Sequence, residues 1–411
     1  MIRCIMKKIR NQTKYQLAKE IIAISLVLAA AFLPFSFRIS SAFIFLCITI
    51  GVVLLLLQKF NRKTINVSVL LSVLFFVIPV LSISYSENFG GYLIEKRIAI
   101  LFIPILLAIH PIKQKIVIRA LAGFVISCVL AAVYSFCFTL YYSRPLDTEM
   151  STDALGISHV YFGMYLSFSI VLLLIYFLIN WDRWQVVIPI IFIITFLSYF
   201  LFIMGGKMSI ISLVLVSIII SIWIIFQTKK IFLGLMLLSL PVIVFIGAIL
   251  FYDNARGRFI ELLDHKNYFI GDNAWNSIGV RLSILKCTYD VTKEHPFFGT
   301  GIGDVQVELN NSYKMYNFST LIDMNTHNQY LQFIVGIGIV GLLIVMGVLS
   351  FQIYKSIQGG NLIHLSFVSI FMLCCLTESV LERQYGIMFF ALFNSITLLS
   401  NYKIGNLVES K

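Results

Sequence analysis

The stretch Asn325-Thr326-His327-Asn328-Gln329 leads straight into an apolar run that carries Gly336, Gly338 and Gly341. A histidine at such a boundary can do acid–base chemistry, because its imidazole titrates near neutral pH. It can equally serve as an interfacial polar residue that hydrogen-bonds a neighbour. Asn325 and Thr326 suit the cap of a helix beginning there. The glycines fit close approach of neighbouring helices, a packing role that needs no chemistry. Upstream, residues Ile278–Glu294 read as a helix, capped by Asn276 or Ser277 and closed by Pro296. Val280, Ile284, Cys287 and Val291 fall at helical spacing along it, and Arg281 sits near its N-terminus. Gly299-Thr300-Gly301-Ile302-Gly303 follows. No strand precedes this cluster and no Gly-Lys-Ser/Thr comes after it, so it is neither a nucleotide-phosphate loop nor a dinucleotide fingerprint. A tight turn is the expected use.

Membrane helices must position these residues. Of 411 residues, 59% are hydrophobic and only 12% charged; a soluble chain carries roughly 25% charged residues. The mean hydropathy is +0.94. Apolar runs of about 20 residues recur, each long enough to cross a hydrocarbon core of roughly 30 Å. The pattern predicts an all-α polytopic membrane protein with about twelve spans: 18–36, 39–57, 65–83, 95–110, 116–141, 159–179, 185–204, 207–227, 231–252, 327–354, 361–380 and 384–401. A transmembrane barrel would instead alternate in segments of about 10 residues. The organisation expected is spans one to nine over 1–252, one large loop over 253–326, spans ten to twelve over 327–401, and a tail over 402–411.

The lead-in with Lys7, Lys8, Arg10 and Lys14 has the charge of a signal peptide. It lacks a small-x-small cleavage site, so the first span reads as a retained anchor. Lys59, Arg62, Lys63, Lys113, Lys115, Lys229 and Lys230 fall in short loops on the same side as both termini. By the positive-inside rule that side is the cytoplasm. The net charge of +12 therefore speaks of topology and anionic lipid, with no nucleic acid as partner. The seven cysteines lie mostly in or near spans and form neither a disulfide framework nor paired metal ligands. No metal and no cofactor is expected. Charges in mid-span are sparse and the two halves show no symmetry, which disfavours a transporter. An interaction scaffold accounts less well for a histidine and two cations gathered at one face.

His327-Asn328, nine residues, then Gly338-x-x-Gly341 resembles the His-[Asn/Ser/Gln]-x9-Gly-x-x-Gly signature of the bacterial O-antigen ligase/polymerase superfamily. The upstream arginine helix and HPFFGTGIG, the family's Pro-x-x-Gly-x-Gly turn, are similar too, as is the layout of spans. The resemblance is concentrated in 204–215 and 278–343, with further likeness at 94–105, 157–168 and 378–393. It implies a GT-C-like fold with the large loop in the periplasm, in the bacterial inner membrane. It implies a glycosyltransferase of lipopolysaccharide biosynthesis that needs neither nucleotide sugar nor metal. The donor would be an undecaprenyl-pyrophosphate-linked glycan. The acceptor would be lipid A–core for a ligase, or the next O-antigen or capsular repeat unit for a polymerase; length and the modest loop favour the ligase.

The same resemblance assigns residues. Arg281 matches the family's loop arginine, suited to the negative charge that develops on a pyrophosphate leaving group. The family's second arginine, at the outer start of the eighth span, falls on Gly205-Gly206-Lys207-Met208-Ser209. Lys207 stands there, keeping the charge and losing the bidentate fork. His327 becomes the general base for the acceptor hydroxyl, and a single displacement would invert the anomeric centre. Asn328 is its neighbour in the motif and a candidate for substrate contact. Arg97, His159, Tyr161, Glu378, Glu382 and Arg383 lie at the outer ends of spans and are secondary candidates for substrate contact. Among these, Arg97 could take phosphate or anionic lipid, and Glu382 could pair with Arg383. His110, His265, His295 and His364 lack a constellation and read as structural or solvated.

Overall fold

A computed structural model describes residues 2–57, 66–229, 231–251 and 277–400, and among these the chain is helical with no strand. In chain order the helices are α1 (Ile2–Phe32), α2 (Phe37–Leu57), α3 (Val67–Leu70), α4 (Leu74–Ser82), α5 (Gly91–Ile109), α6 (Gln114–Tyr141), α7 (Met150–Leu155) and α8 (His159–Ile179). There follow α9 (Trp184–Ile203), α10 (Lys207–Thr228), α11 (Ile231–Phe251), α12 (Ser277–Glu294), α13 (Val305–Met315), α14 (Gln329–Gly359), α15 (Leu362–Cys374) and α16 (Gln384–Leu398). Among the described residues, eight helical segments are long and apolar enough to cross a membrane. The protein is therefore a multi-pass membrane protein.

Helices occupy the stretches expected to be spans, eight of them long and apolar enough to cross, with differences that have physical causes. The third is broken: a short 3-10 turn at Leu71–Val73 separates α3 from α4. The fifth helix carries Glu95, Lys96 and Arg97 within its first two turns. The last two are short, 13 residues for α15 and 15 for α16. At about 1.5 Å per residue they reach roughly 20 Å, less than a full hydrocarbon core. The joining segment 375–383 is consequently set into the bundle. The tail 402–411 and the first part of the large loop, 253–276 with the cap candidate Asn276 and with His265, lie outside the described residues.

Helix α8 is the hub of the bundle, buried along nearly its whole length. Its Tyr165 and Phe168 meet Phe124 of α6, Phe367 of α15 and Phe389 of α16, with ring centroids 4.9–6.0 Å apart. Such offset and edge contacts add directional preference to the packing. Above the bundle, α12 and α13 close a small second core of Ile284, Cys287, Val291, Leu309 and Tyr313. The helix expected over 278–294 forms almost as read, starting at Ser277. Its Cys287 is buried there, which accounts for a thiol with no partner in sequence.

Gly336 lies close against Val305 of α13, as a packing glycine would, but Gly338 is not the helix–helix packing site expected. Within α14, Gly338 takes φ +66° and ψ −178°, so the helix is interrupted there. The gap is filled by the turn at 296–301. Ile339 and Val340 donate their backbone N–H groups to the carbonyls of Pro296 and Phe297, at 3.0 and 3.2 Å. In return Thr300 and Gly301 donate to the carbonyls of Val335 and Gly336, at 2.7 and 3.0 Å. A broken helix exposes backbone groups that must find partners away from water; the turn supplies them. A Cβ on Gly338 would overlap the Phe297 carbonyl, and a Cβ on Gly299, itself at φ +71°, would meet the Val335 carbonyl. The turn is fastened on its other side by Asp304, which accepts from Glu87 N, Asn88 N and Asn88 Nδ2 at 2.7–2.9 Å.

Candidate functional site

A cavity of about 310 Å³ opens where α8, α10, α12 and the end of α15 converge. Among its lining residues are His159, Lys207, Ser209, Arg281, Cys374 and Thr377. Three residues singled out in the sequence thus share one space although they lie on three separate helices. His159 is the first residue of α8, and Lys207 is the first residue of α10. Both helices therefore turn their positive dipole ends towards the cavity, which favours an anion. Arg281 reaches in from the second turn of α12, and its Nη2 donates to the Thr377 carbonyl at 3.4 Å. Burial lowers the pKa of Arg281, and the charge of Glu378 opposes that shift.

His327 lies beside this space, outside its lining. The peptide at His327 has φ +46°, an uncommon conformation for a residue with a side chain. It is held by a dense set of bonds. His327 N donates to Asn325 Oδ1 at 2.9 Å, and Thr326 Oγ1 donates to the Asn328 carbonyl at 2.8 Å. Gln329 N donates to the Cys375 carbonyl at 2.9 Å, and Leu381 N donates to Gln329 Oε1 at 2.6 Å. The segment 325–332 and the segment 375–383 are thereby locked together. His327 Nδ1 faces Glu378 Oε2 at 3.4 Å, with the imidazole about one-third exposed.

Several sequence expectations are corrected here. Asn325 and Thr326 do not cap α14. Asn328 does: its Oδ1 accepts from Tyr330 N and Leu331 N at 2.9 and 3.2 Å, and its Nδ2 donates to the Leu376 carbonyl at 3.0 Å. With both ends of its amide engaged, Asn328 caps α14 and ties it to the 375–383 segment. Arg97 is not available to phosphate or lipid. It is 3% exposed and forms an ion pair with Glu382. Its Nη1 also donates to the Leu93 carbonyl at 3.3 Å. Glu382 accordingly pairs across the bundle and not with its neighbour Arg383. Arg383 is exposed at the start of α16. Tyr161 is buried, and its hydroxyl donates to Glu378 Oε1 at 3.4 Å. His364 is buried at the opposite end of α15 with Nδ1 against Thr397 Oγ1 at 2.9 Å, and His295 is exposed. Neither enters the cavity lining.

The Arg97 pair carries a testable consequence for stability. Arg97→Lys keeps the charge but loses the planar fork. We expect a loss of about 1–3 kcal/mol, the scale of a hydrogen bond to a charged group. Thermal unfolding of the purified variant in detergent should show a lower midpoint than that of the parent protein.

One feature of the site escapes sequence reasoning. Thr148 in the loop 142–158 lines the cavity, and nothing in the spacing of that loop points to it. Glu378, one of the secondary candidates, is legible in sequence as the one carboxylate between Leu362 and Leu381 in an apolar stretch. An ionisable residue in such a stretch is a functional signal in a membrane protein. Comparison with curated proteins finds no match. Residues 190–346 match the model of the family described as O-antigen ligase. That stretch holds Lys207, Arg281, His327 and the whole assembly of turn and interrupted helix, so the match supports the resemblance to the O-antigen ligase/polymerase superfamily over the part of the chain that carries the site.

Proposed function

We propose that the protein is a glycosyltransferase of the O-antigen ligase type, working at the periplasmic face of the bacterial inner membrane with both termini in the cytoplasm. Its donor is an undecaprenyl-pyrophosphate-linked glycan and its acceptor a sugar of lipid A–core. The observation that carries this reading is the cavity that joins Lys207 and Arg281 beside His327. A pyrophosphate in that cavity lies between two cations and two helix N-termini. There the charge that grows on the leaving oxygen is met by groups already in place. The acceptor hydroxyl attacks the anomeric carbon from the side of His327. As the new C–O bond forms, the hydroxyl proton passes to the imidazole. As the old C–O bond breaks, its electron pair leaves with the undecaprenyl pyrophosphate. One displacement inverts the anomeric centre, and Lys207 and Arg281 supply the positive charge that the step requires.

Reconstitution tests this directly. Purified protein is incubated with undecaprenyl-pyrophosphoryl glycan and lipid A–core. Glycan joined to core supports the ligase. Lengthening of the carrier-linked chain without transfer to core replaces that reading with a polymerase using the same site. Failure of both with folded protein overturns the proposal. Within this assay Lys207→Ala should slow transfer by about ten- to a hundredfold, the scale of one lost charged hydrogen bond. Lys207→Arg should match or exceed the parent, because a guanidinium suits phosphate at least as well. Equal rates for all three proteins would remove Lys207 from the site.

A further inference from the structure

Glu378 is buried, 8% exposed, at a point where an unpaired carboxylate is costly. Its two oxygens are divided between two partners. Oε2 faces His327 Nδ1 and Oε1 accepts the Tyr161 hydroxyl, each at 3.4 Å. Spacings of this length are common at catalytic hydrogen bonds before substrate arrives. The backbone around Glu378 is bound to both functional arms. Thr377 takes Arg281 through its carbonyl. Cys375 and Leu376 accept from Gln329 and Asn328, and Ser379 Oγ lies 3.2 Å from Thr326 Oγ1. Three elements therefore meet at one carboxylate: α8 through Tyr161, the entry to α14 through His327, and the segment 375–383 itself.

We propose that Glu378 is a positioning residue for His327. A carboxylate on Nδ1 keeps the hydrogen of the neutral imidazole on that nitrogen and leaves the Nε2 lone pair for the acceptor hydroxyl. It also fixes the ring plane, with Tyr161 fixing the carboxylate in turn. When the imidazole has taken the acceptor proton, the facing carboxylate balances its charge; the proton stays on the ring and does not pass to Glu378. This inference rests on His327 being the base of the proposed reaction.

The test uses the full chain, with Glu378→Gln, Glu378→Asp, Tyr161→Phe, His327→Ala and the double variant Glu378→Gln/His327→Ala. Glu378→Gln should lower kcat by about ten- to a hundredfold, with KM for donor and acceptor nearly unchanged. Glu378→Asp should recover part of the loss. In the His327→Ala background the Glu378→Gln change should have little further effect, since residues acting as a unit are strongly non-additive. A wild-type kcat in Glu378→Gln, or effects of Glu378→Gln and His327→Ala that multiply, would overturn the inference while leaving the transferase reading intact. Wild-type rates in His327→Ala would instead remove the base and the inference with it. If Glu378→Gln does not fold, Tyr161→Phe decides. A drop in kcat of a few-fold that vanishes in the His327→Ala background supports the chain of three residues. An undiminished kcat, or a drop that persists without the histidine, overturns it.

Discussion

His327→Ala slows glycan transfer by about 10²–10⁴-fold, the usual contribution of a positioned general base. In the proposed reaction Lys207 and Arg281 hold the donor, and His327 is outside the lining of their cavity. KM for the donor should therefore change little while kcat falls, the signature of a group that acts in the transition state. The backbone at this position complicates alanine, because His327 sits at φ +46°. Asparagine accepts that region far more readily than most residues. His327→Asn should consequently fold like the parent and yet transfer as slowly as the alanine variant. Initial rates and thermal unfolding of both proteins separate the two effects. If His327→Asn transfers at close to the parent rate, the imidazole is not the base.

Gly338→Ala should prevent the protein from folding. At φ +66° and ψ −178° the backbone occupies a region essentially reserved for glycine, and forcing a side chain there costs about 1–3 kcal/mol. The larger obstacle is steric. The new Cβ would overlap the Phe297 carbonyl and press on the peptide of Phe298. To relieve it, the 296–301 turn must withdraw, and four backbone hydrogen bonds that seal the interrupted helix go with it. Gly336→Ala provides the contrast. There a Cβ would stand 3.1 Å from Val305 Cγ2, a side-chain atom. Expression in membranes and monodispersity after extraction should rank the parent above Gly336→Ala and Gly336→Ala far above Gly338→Ala. Equal yields of the two variants would contradict the role given to the interruption.

Helical periodicity and apolar run length carried most of the fold into view from sequence, because both depend on residues close along the chain. The helix at 277–294 and the placement of Lys207 at the head of α10 are cases in point. The pairings are different. Arg97 and Glu382 are 285 positions apart and His327 and Glu378 are 51 apart. Nothing local distinguishes Glu382 bound to Arg97 from Glu382 bound to its neighbour Arg383; the choice is made by packing of α5 on α16. Gly338 departs from its expected packing role for a related reason. Small residues in an apolar run fit close helix contact equally well as a break, and only the arrival of the 296–301 backbone decides between them. Asn328 shows the same limit at short range. Four consecutive polar residues could each begin a helix, and the bonds to the 375–383 segment select the last.

The segment 375–383 also sets an order in time. A polypeptide enters the membrane from its N-terminus as it is made, so Lys207, Arg281 and His327 are all in place before the segment that locks them together has been synthesised. Until α15 and α16 insert, the imidazole has no carboxylate and the 325–332 backbone has no clamp. On the reading that His327 is the base, the proposed transfer therefore has to await α15 and α16, which bring the carboxylate and the clamp.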